Sequence, residues 1–415
     1  MSDRRTFMGQ LAAGAAGMGQ LAAGAAGMAA SALPASARVL GANDRIRIGL
    51  IGGGARGQEI FKAAIGRPNV EAVAVADIYT RRLDQVRAFV PGIKTYRDAR
   101  QLLDDKSIDA VLIATPQHLH VQHFEMAMHA GKDTYQEKTM AFTPNHARRM
   151  RKAFEGSGRV VQIGMQMISG AGFLKVRELA TPERMGTLTA LQTFHFRNAP
   201  YGGWLRELPP DCDEQHLDWA AFEGEAKHYP FDPMRFFNWR FYWDYSGGNM
   251  FENMIHQVGF WFGALDLGIP LSVTTAAANF RSPKMQVPDT MNVNMHMGEK
   301  LLFNWNSMFG NDYYGETQDL LFGSGGTIIH TQSDKVEYLP QGGKDAAKGT
   351  VAENAEYRDV TTEHMQNFFD CVRSRQQPHA PFELGFRASI AVQMAVASYR
   401  RGATVRWDPA SDEIV

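Results

Sequence analysis

Apolar residues follow two different periods along this chain, and the change of period divides it. Residues 45–51 (RIRIGLI) set Ile46, Ile48, Leu50 and Ile51 on a short strand, and residues 58–64 then read as a helix. A second apolar run, 70–76, ends at Asp77. Helices are predicted over 98–104, 121–130 and 143–154, and strands over 110–114 (AVLIA), 133–136 and 159–164. Short apolar strands alternating with helices predict a doubly wound α/β domain whose parallel sheet is covered on both sides, a Rossmann arrangement. From about Met167 the strands lengthen and their apolar positions alternate, as in 188–196 (LTALQTFHF), 272–279, 291–297, 301–307, 319–322 and 326–330. That pattern predicts a C-terminal α+β domain on an open, mostly antiparallel sheet with one buried face.

The N-terminus follows neither period. Arg4-Arg5-Thr6-Phe7 is followed by no charged residue until Arg38, and Ala35-Ser36-Ala37 suits a signal peptidase. The segment resembles a twin-arginine export signal. The decapeptide 8–17 (MGQLAAGAAG) recurs unchanged as 18–27, a tandem duplication that lengthens an apolar region made mostly of Ala and Gly. Such a region makes a poor bilayer anchor, although a retained anchor is the other reading. The expected organisation is a leader over 1–37, the α/β domain over 38–166, and the α+β domain over 167–415. Export implies a periplasmic protein, cut off from the cytosolic pool of soluble cofactors. Any such cofactor would then be held tightly and regenerated in place.

Composition narrows the function. The chain has 415 residues, more than one ordinary core organises, and 44% are apolar against 21% charged, the balance of a folded globular protein. Lys and Arg number 43 against 44 Asp and Glu, so no basic footprint for nucleic acid exists. Two cysteines, Cys212 and Cys371, are too few for a disulfide scaffold or a cysteine zinc site, and no pairing between them is expected. Small-molecule chemistry remains.

Its first signature is Gly52-Gly53-Gly54-Ala55-Arg56-Gly57 between the first strand and helix, which matches G-x-G-x-x-G at Gly52, Gly54 and Gly57. The glycines permit a tight turn, close approach of backbone to a pyrophosphate, and close helix–strand packing. Asp77 stands about twenty positions on, where a carboxylate accepts from the adenosine ribose hydroxyls and favours NAD over NADP. Arg81 and Arg82 just beyond keep NADP open.

Two further segments fall at strand C-termini, Thr115-Pro116-Gln117-His118-Leu119-His120 and Glu137-Lys138-Thr139. With the run Gln162-Ile163-Gly164-Met165-Gln166, late helices over 364–374 and 386–399 and a closing strand over 404–407, the chain resembles the Gfo/Idh/MocA oxidoreductases, the family of glucose–fructose oxidoreductase and inositol dehydrogenase. Thr139 is a departure, because the family's signature there is E-K-P. The resemblance implies a cofactor wall of Ala55, Arg56, Thr115, Pro116, His118, His120, Glu137, Lys138 and Gln166 beside the glycines and Asp77. It also implies that Lys138 hydrogen-bonds the reacting hydroxyl and polarises the forming carbonyl. His118, His120 and His123 hint at a metal cluster, but no cysteine or carboxylate cluster accompanies them, and no metal is expected.

In the second domain Gly247-Gly248 breaks the chain before a helix predicted over 249–262. Glu252 and His256 stand four apart on it and so share a face. The related families' D-x-x-x-H pattern falls here, with the longer carboxylate in this chain, and Gly259 replaces a frequent second aspartate. His256 is the natural proton acceptor for an alcohol, with Glu252 orienting it or binding a substrate hydroxyl. A surface ion pair and half of a zinc site are the competing readings. Tyr201, Trp204, Trp219, Phe236, Trp239, Phe241 and Tyr245 cluster nearby, most of them core or interface and some free to stack on a sugar. Arg197, Arg240 and Asn253 are the polar substrate contacts expected beside them, and a carboxylated substrate would call for one dominant arginine that the sequence does not single out.

The expected function is NAD(P)-dependent oxidation of a sugar or polyol hydroxyl, with NAD as the first cofactor and NADP possible. The alternative is an NAD-dependent glycosidase acting by transient oxidation and elimination, and a two-substrate sugar–sugar exchange suits export equally. A sugar sensor without turnover is the third reading, which Lys138, Glu252 and His256 together argue against. The resemblance also implies a homo-oligomer, dimer or tetramer.

Overall fold

A computed structural model describes residues 45–312, 318–331, 334–342, 350–352 and 360–415. The leader read at 1–37 lies outside these residues. The first strand, β1 (Ile46–Ile51), is buried on both faces, with Ile46, Ile48 and Leu50 fully covered. Five more strands flank it: β2 (Val70–Ala76), β3 (Lys94–Tyr96), β4 (Ala110–Ile113), β5 (Asp133–Gln136) and β6 (Val161–Ile163). They pair in parallel in the order β3-β2-β1-β4-β5-β6, so the strand order reverses between β1 and β4. Open sheets bind ligands at that reversal, beyond the strand C-termini. The three-residue β3 was not legible in the apolar pattern, since Lys94, Thr95 and Tyr96 carry only one large apolar side chain.

The second sheet is built on β7 (Leu188–Asn198) and, among the described residues, ten other strands. These are β8 (Ser272–Ala278), β9 (Thr290–His296), β10 (Leu302–Met308), β11 (Gly310–Asn311), β12 (Gln318–Gly323), β13 (Gly326–Thr331), β14 (Val336–Pro340), β15 (Thr350–Ala352), β16 (Val405–Asp408) and β17 (Glu413–Ile414). All neighbours run antiparallel except β7 and β10, which are parallel. Alternation decides the faces. Leu191, Val293, Phe303, Trp305 and Leu321 point into the core, while Asn292, Asn294, Asn304 and Asn306 hydrogen-bond to one another on the other side.

Helix Phe382–Arg401 joins the two sheets. Gly385 lies against Ile163, where a Cβ would meet the Ile163 side chain at 2.5 Å, and Gln393 donates to the Ala141 carbonyl at 2.7 Å. The described residues accordingly form one unit. One expected boundary shifts. Helix Val360–Ser374, placed in the second domain by sequence order, packs Met365, Phe368, Phe369 and Val372 into the core beneath β1. Cys212 and Cys371 are buried free thiols. Among the described residues no helix is long and apolar enough to cross a membrane.

Candidate active site

The turn after β1 is shaped by contacts that exclude side chains. Gly52 has φ +96°, and a Cβ there would meet the Ala114 carbonyl oxygen at 2.8 Å. A Cβ on Gly57 would lie 1.9 Å from the Gly52 carbonyl oxygen. Helix Ala55–Ile65 therefore starts directly against the strand, with Gly54 as an N-cap that supplies no side chain. Its first amides point outward with no acidic residue in the first turn, a cradle that suits a pyrophosphate. Gly57→Ala is expected to push the helix off β1, lowering NAD(P) affinity at least about tenfold and stability by about 1–3 kcal/mol. Titration of the purified variant with NAD would check this; unchanged affinity would refute the close-packing argument.

Asp77, at the end of β2, is 5% exposed. Its Oδ2 accepts from Gly53 N at 2.7 Å and its Oδ1 from Tyr79 N at 2.8 Å, so the carboxylate first braces the glycine turn. Burial pushes its pKa up, against the pull of Arg82 and the two amides. The carboxylate still lines a cleft of about 530 Å³ with Ile78, Arg82, Arg97, Thr115, Pro116, Leu119 and His123. Adjoining it, and sharing Arg82, Thr115 and Pro116, is a cavity of about 370 Å³. Gly54, Ala55, Arg56, Glu137, Lys138, Gln166, Arg197, Arg240, Glu252, Asn253 and His256 all line this second cavity, as do Trp204 and Trp239. Residues from both sheets thus meet in one place.

Two expected wall residues do not. His118 is buried, its Nε2 facing the Phe222 carbonyl at 2.6 Å and its ring against Phe222 and Tyr245. Burial pushes its pKa down to about 3. His120 is buried too, its ring nitrogens 2.8 Å from the carbonyls of Thr139 and Thr115. It ties together the loops carrying Thr115 and Lys138 without lining either cavity. Both face inward because the short helix entered at Gln117 turns them toward the protein, and His123, one turn on, lines the cleft instead. Of the aromatics, Trp219, Phe236, Phe241 and Tyr245 are core.

Lys138 is held from several directions. Its amide lies 3.2 Å from Glu137 Oε2, and Glu137 Oε1 accepts from Arg56 Nε at 2.8 Å. The Lys138–Thr139 peptide is cis, and the Thr139 hydroxyl donates to the Phe251 carbonyl at 2.7 Å. Gly164 is required beside them, since a Cβ would meet the Glu137 carboxylate at 2.9 Å.

The predicted helix around Glu252 begins as a π-turn, Met250–Met254, before helix Ile255–Leu265. Glu252 consequently does not orient His256. Its Oε1 accepts from Gln117 Nε2 at 2.7 Å, and its Oε2 lies 3.0 Å from Lys138 Nζ and 3.1 Å from Arg240 Nε. Lys138 Nζ also donates to the Glu252 carbonyl at 3.0 Å. Burial alone would raise the Glu252 carboxyl, but the Arg240 and Lys138 charges outweigh it and bring the pKa down to about 2. Gln117 was the residue sequence reading missed: inside its segment nothing distinguishes it, and its partner lies in the other domain.

His256 has no hydrogen bond to any described residue. Burial, together with the Lys138 and Arg56 cations, pushes its pKa well below the usual histidine value rather than leaving it near neutrality. Gly259 packs on Met165, where a Cβ would meet the sulfur at 2.6 Å. Among the described residues no cluster of His, Cys, Asp and Glu is arranged to hold a metal.

Comparison with known proteins agrees with this geometry. Residues 46–165 match the Gfo/Idh/MocA family model, an oxidoreductase family with an NAD-binding Rossmann fold. Inositol 2-dehydrogenase of Klebsiella pneumoniae is 30% identical over 163 residues, 38% of this chain and 47% of the relative. The rhizopine catabolism protein MocA of Rhizobium meliloti is 32% identical over 157 residues, 38% and 49% of the two chains. These matches span less than half the length of the curated relatives. Aldose–aldose oxidoreductase from Caulobacter crescentus shares the fold across 87% of this chain and 99% of its own, with a TM-score of 0.67 at 16% identity. Residues 46–165 thus match the NAD-binding domain of the Gfo/Idh/MocA oxidoreductases, and the N-terminal sheet of this chain is an NAD(P)-binding Rossmann domain of that type.

Proposed function

We propose that this protein oxidises a hydroxyl of a sugar or polyol, passing hydride to NAD(P). The observation that carries the reading is an unbonded, neutral His256 lining the same cavity as Lys138. NAD(P), when bound, accepts the hydride. His256 takes the hydroxyl proton as general base. Lys138 Nζ has three donors, of which Glu252 takes two, and the third stabilises the oxygen as it becomes a carbonyl. Trp204 and Trp239 supply flat apolar faces for the ring of a sugar. The glycine turn, the outward amides and Asp77 hold the dinucleotide, and Asp77 favours NAD.

The relatives and the solved neighbour named above are a dehydrogenase, a catabolic protein and an oxidoreductase, which favours hydride transfer over redox-neutral glycoside cleavage. Export by the twin-arginine route to the periplasm belongs to the same reading, supported by residues 1–37. So does a homo-oligomer, supported by the exposed Leu271, Phe280 and Leu302 around β8–β10. The test has two steps. Denaturing release of cofactor with mass spectrometry should recover NAD(H) or NADP(H), and a panel of sugars and polyols should raise absorbance at 340 nm in added NAD(P). No absorbance change with any hydroxyl substrate would refute oxidation.

His256 also sets a pH dependence. The active form is the neutral imidazole, and its pKa in the protein lies well below 6.5. The acid limb of kcat/KM for oxidation is therefore expected below pH 6.5, with activity level from there into the neutral range. A limb centred at or above pH 6.5 would contradict this assignment.

A further inference from the structure

We infer that the substrate taken by this site is an acidic sugar, a uronate or an aldonate, whose carboxylate is received by Arg197. This rests on the oxidoreductase reading for where the reacting hydroxyl lies. The argument is charge balance within one cavity. Arg56 meets Glu137 at 2.8 Å, Arg82 stands 3.8 Å from Asp77, and Lys138 and Arg240 share the single carboxylate of Glu252. Arg197 lines the same cavity, and among the described residues no carboxylate lies within ion-pair distance of it.

Every partner of Arg197 is neutral. Its Nη1 donates to the Gly202 carbonyl at 3.0 Å, and its Nη2 to Asn253 Oδ1 at 3.2 Å and to His195 Nε2 at 2.7 Å. Its guanidinium lies 5.9 Å from the Phe309 ring. These contacts fix its position without cancelling its charge, and burial pushes its pKa down with nothing to offset the cost. Several other partly buried arginines are paired, Arg149 with Glu125 at 2.6 Å, Arg375 with Asp133 at 2.6 Å and Arg235 with Asp244 at 3.3 Å, whereas Arg159 and Arg373, which also meet no carboxylate among the described residues, line neither cavity. A positioned, uncompensated guanidinium beside a polarising lysine is the arrangement that receives an anion. The pyrophosphate of a dinucleotide does not fill this role, because the glycine turn and Arg82 stand at its cradle, whereas Arg197 stands on β7. A neutral sugar would leave the charge unmatched.

The test uses the NAD-saturated protein and matched ligand pairs: glucuronate with glucose, galacturonate with galactose, and gluconate with sorbitol. Calorimetry measures binding, and absorbance at 340 nm measures turnover. The acid of at least one pair should bind about 10–100-fold more tightly than its neutral partner. That preference should shrink with salt and approach parity in Arg197→Gln, while Arg197→Lys keeps part of it. Unchanged NAD affinity in both variants verifies that they are folded. Equal binding within every pair, no binding of any acid, or a preference that survives Arg197→Gln would overturn the inference. Acid binding that depends on Arg197 but yields no NADH would leave it standing and refute oxidation. Turnover of neutral sugars without an acid preference would do the reverse.

Discussion

Replacing His256 by alanine is expected to lower kcat/KM for oxidation by about 10²–10⁴-fold, the usual contribution of a positioned general base. The protein should stay folded and keep its NAD(P) affinity, because His256 hydrogen-bonds no described residue and stands on helix Ile255–Leu265 rather than among the backbone amides of the glycine turn. The loss should fall on kcat, since the proton is moved only in the transition state. The acid limb below pH 6.5 should vanish with the imidazole, a change that a packing defect would not produce. Steady-state kinetics across pH 5–8 would decide it. A variant within about threefold of the parent, with its acid limb intact, would move the base elsewhere.

Glu252→Gln is expected to be the most damaging single-atom change in the site. One carboxylate accepts from Gln117 on one oxygen and faces Lys138 and Arg240 on the other. An amide has only one oxygen, so its NH2 must point at a donor whichever way it turns. Two partly buried cations lose their counter-charge, which is expected to cost about 2–3 kcal/mol, less than for a fully buried pair because Arg240 keeps access to solvent. The pH dependence has a definite sign. The folded carboxyl sits at about 2, below its ordinary 4.5, so its stabilisation is complete above about pH 4.5 and is lost as pH falls toward 2. The gap in thermal midpoint between parent and variant should therefore be widest near neutrality and narrow in acid. Activity should fall about 10–100-fold as Lys138 loses its anchor. The acid limb of any residual activity should move lower still, because the Glu252 charge raises the His256 pKa. Equal midpoints at pH 7 would show that Glu252 does not bear this load.

The apolar pattern determined much of this molecule without help. Apolar strands between helices foretold the parallel sheet, and alternation over 188–330 foretold β7 to β10, β12 and β13 to within about two residues but not the two-residue β11, because burial on two faces or one leaves a direct trace in residue order. The glycine turn was equally legible, since a close backbone approach admits only glycine. Lys138, Glu252 and His256 were singled out by turns, strand ends, helical spacing and the resemblance to a known family, and all three line one cavity.

Tertiary structure alone decided how they are used. A helical spacing of four made Glu252 the partner of His256, but a π-turn and the approach of the other domain gave the carboxylate to Lys138, Arg240 and Gln117. His118 and His120 carried the composition of a site and became core, because which side of a short helix faces the cleft depends on what packs behind it. Arg197 shows the same limit most plainly. Arginines recur throughout the chain, and only the placement of the carboxylates around this cavity shows that Arg197 meets none among the described residues. Charge compensation and pKa depend on distances between residues far apart in sequence, and a linear pattern holds no record of those distances.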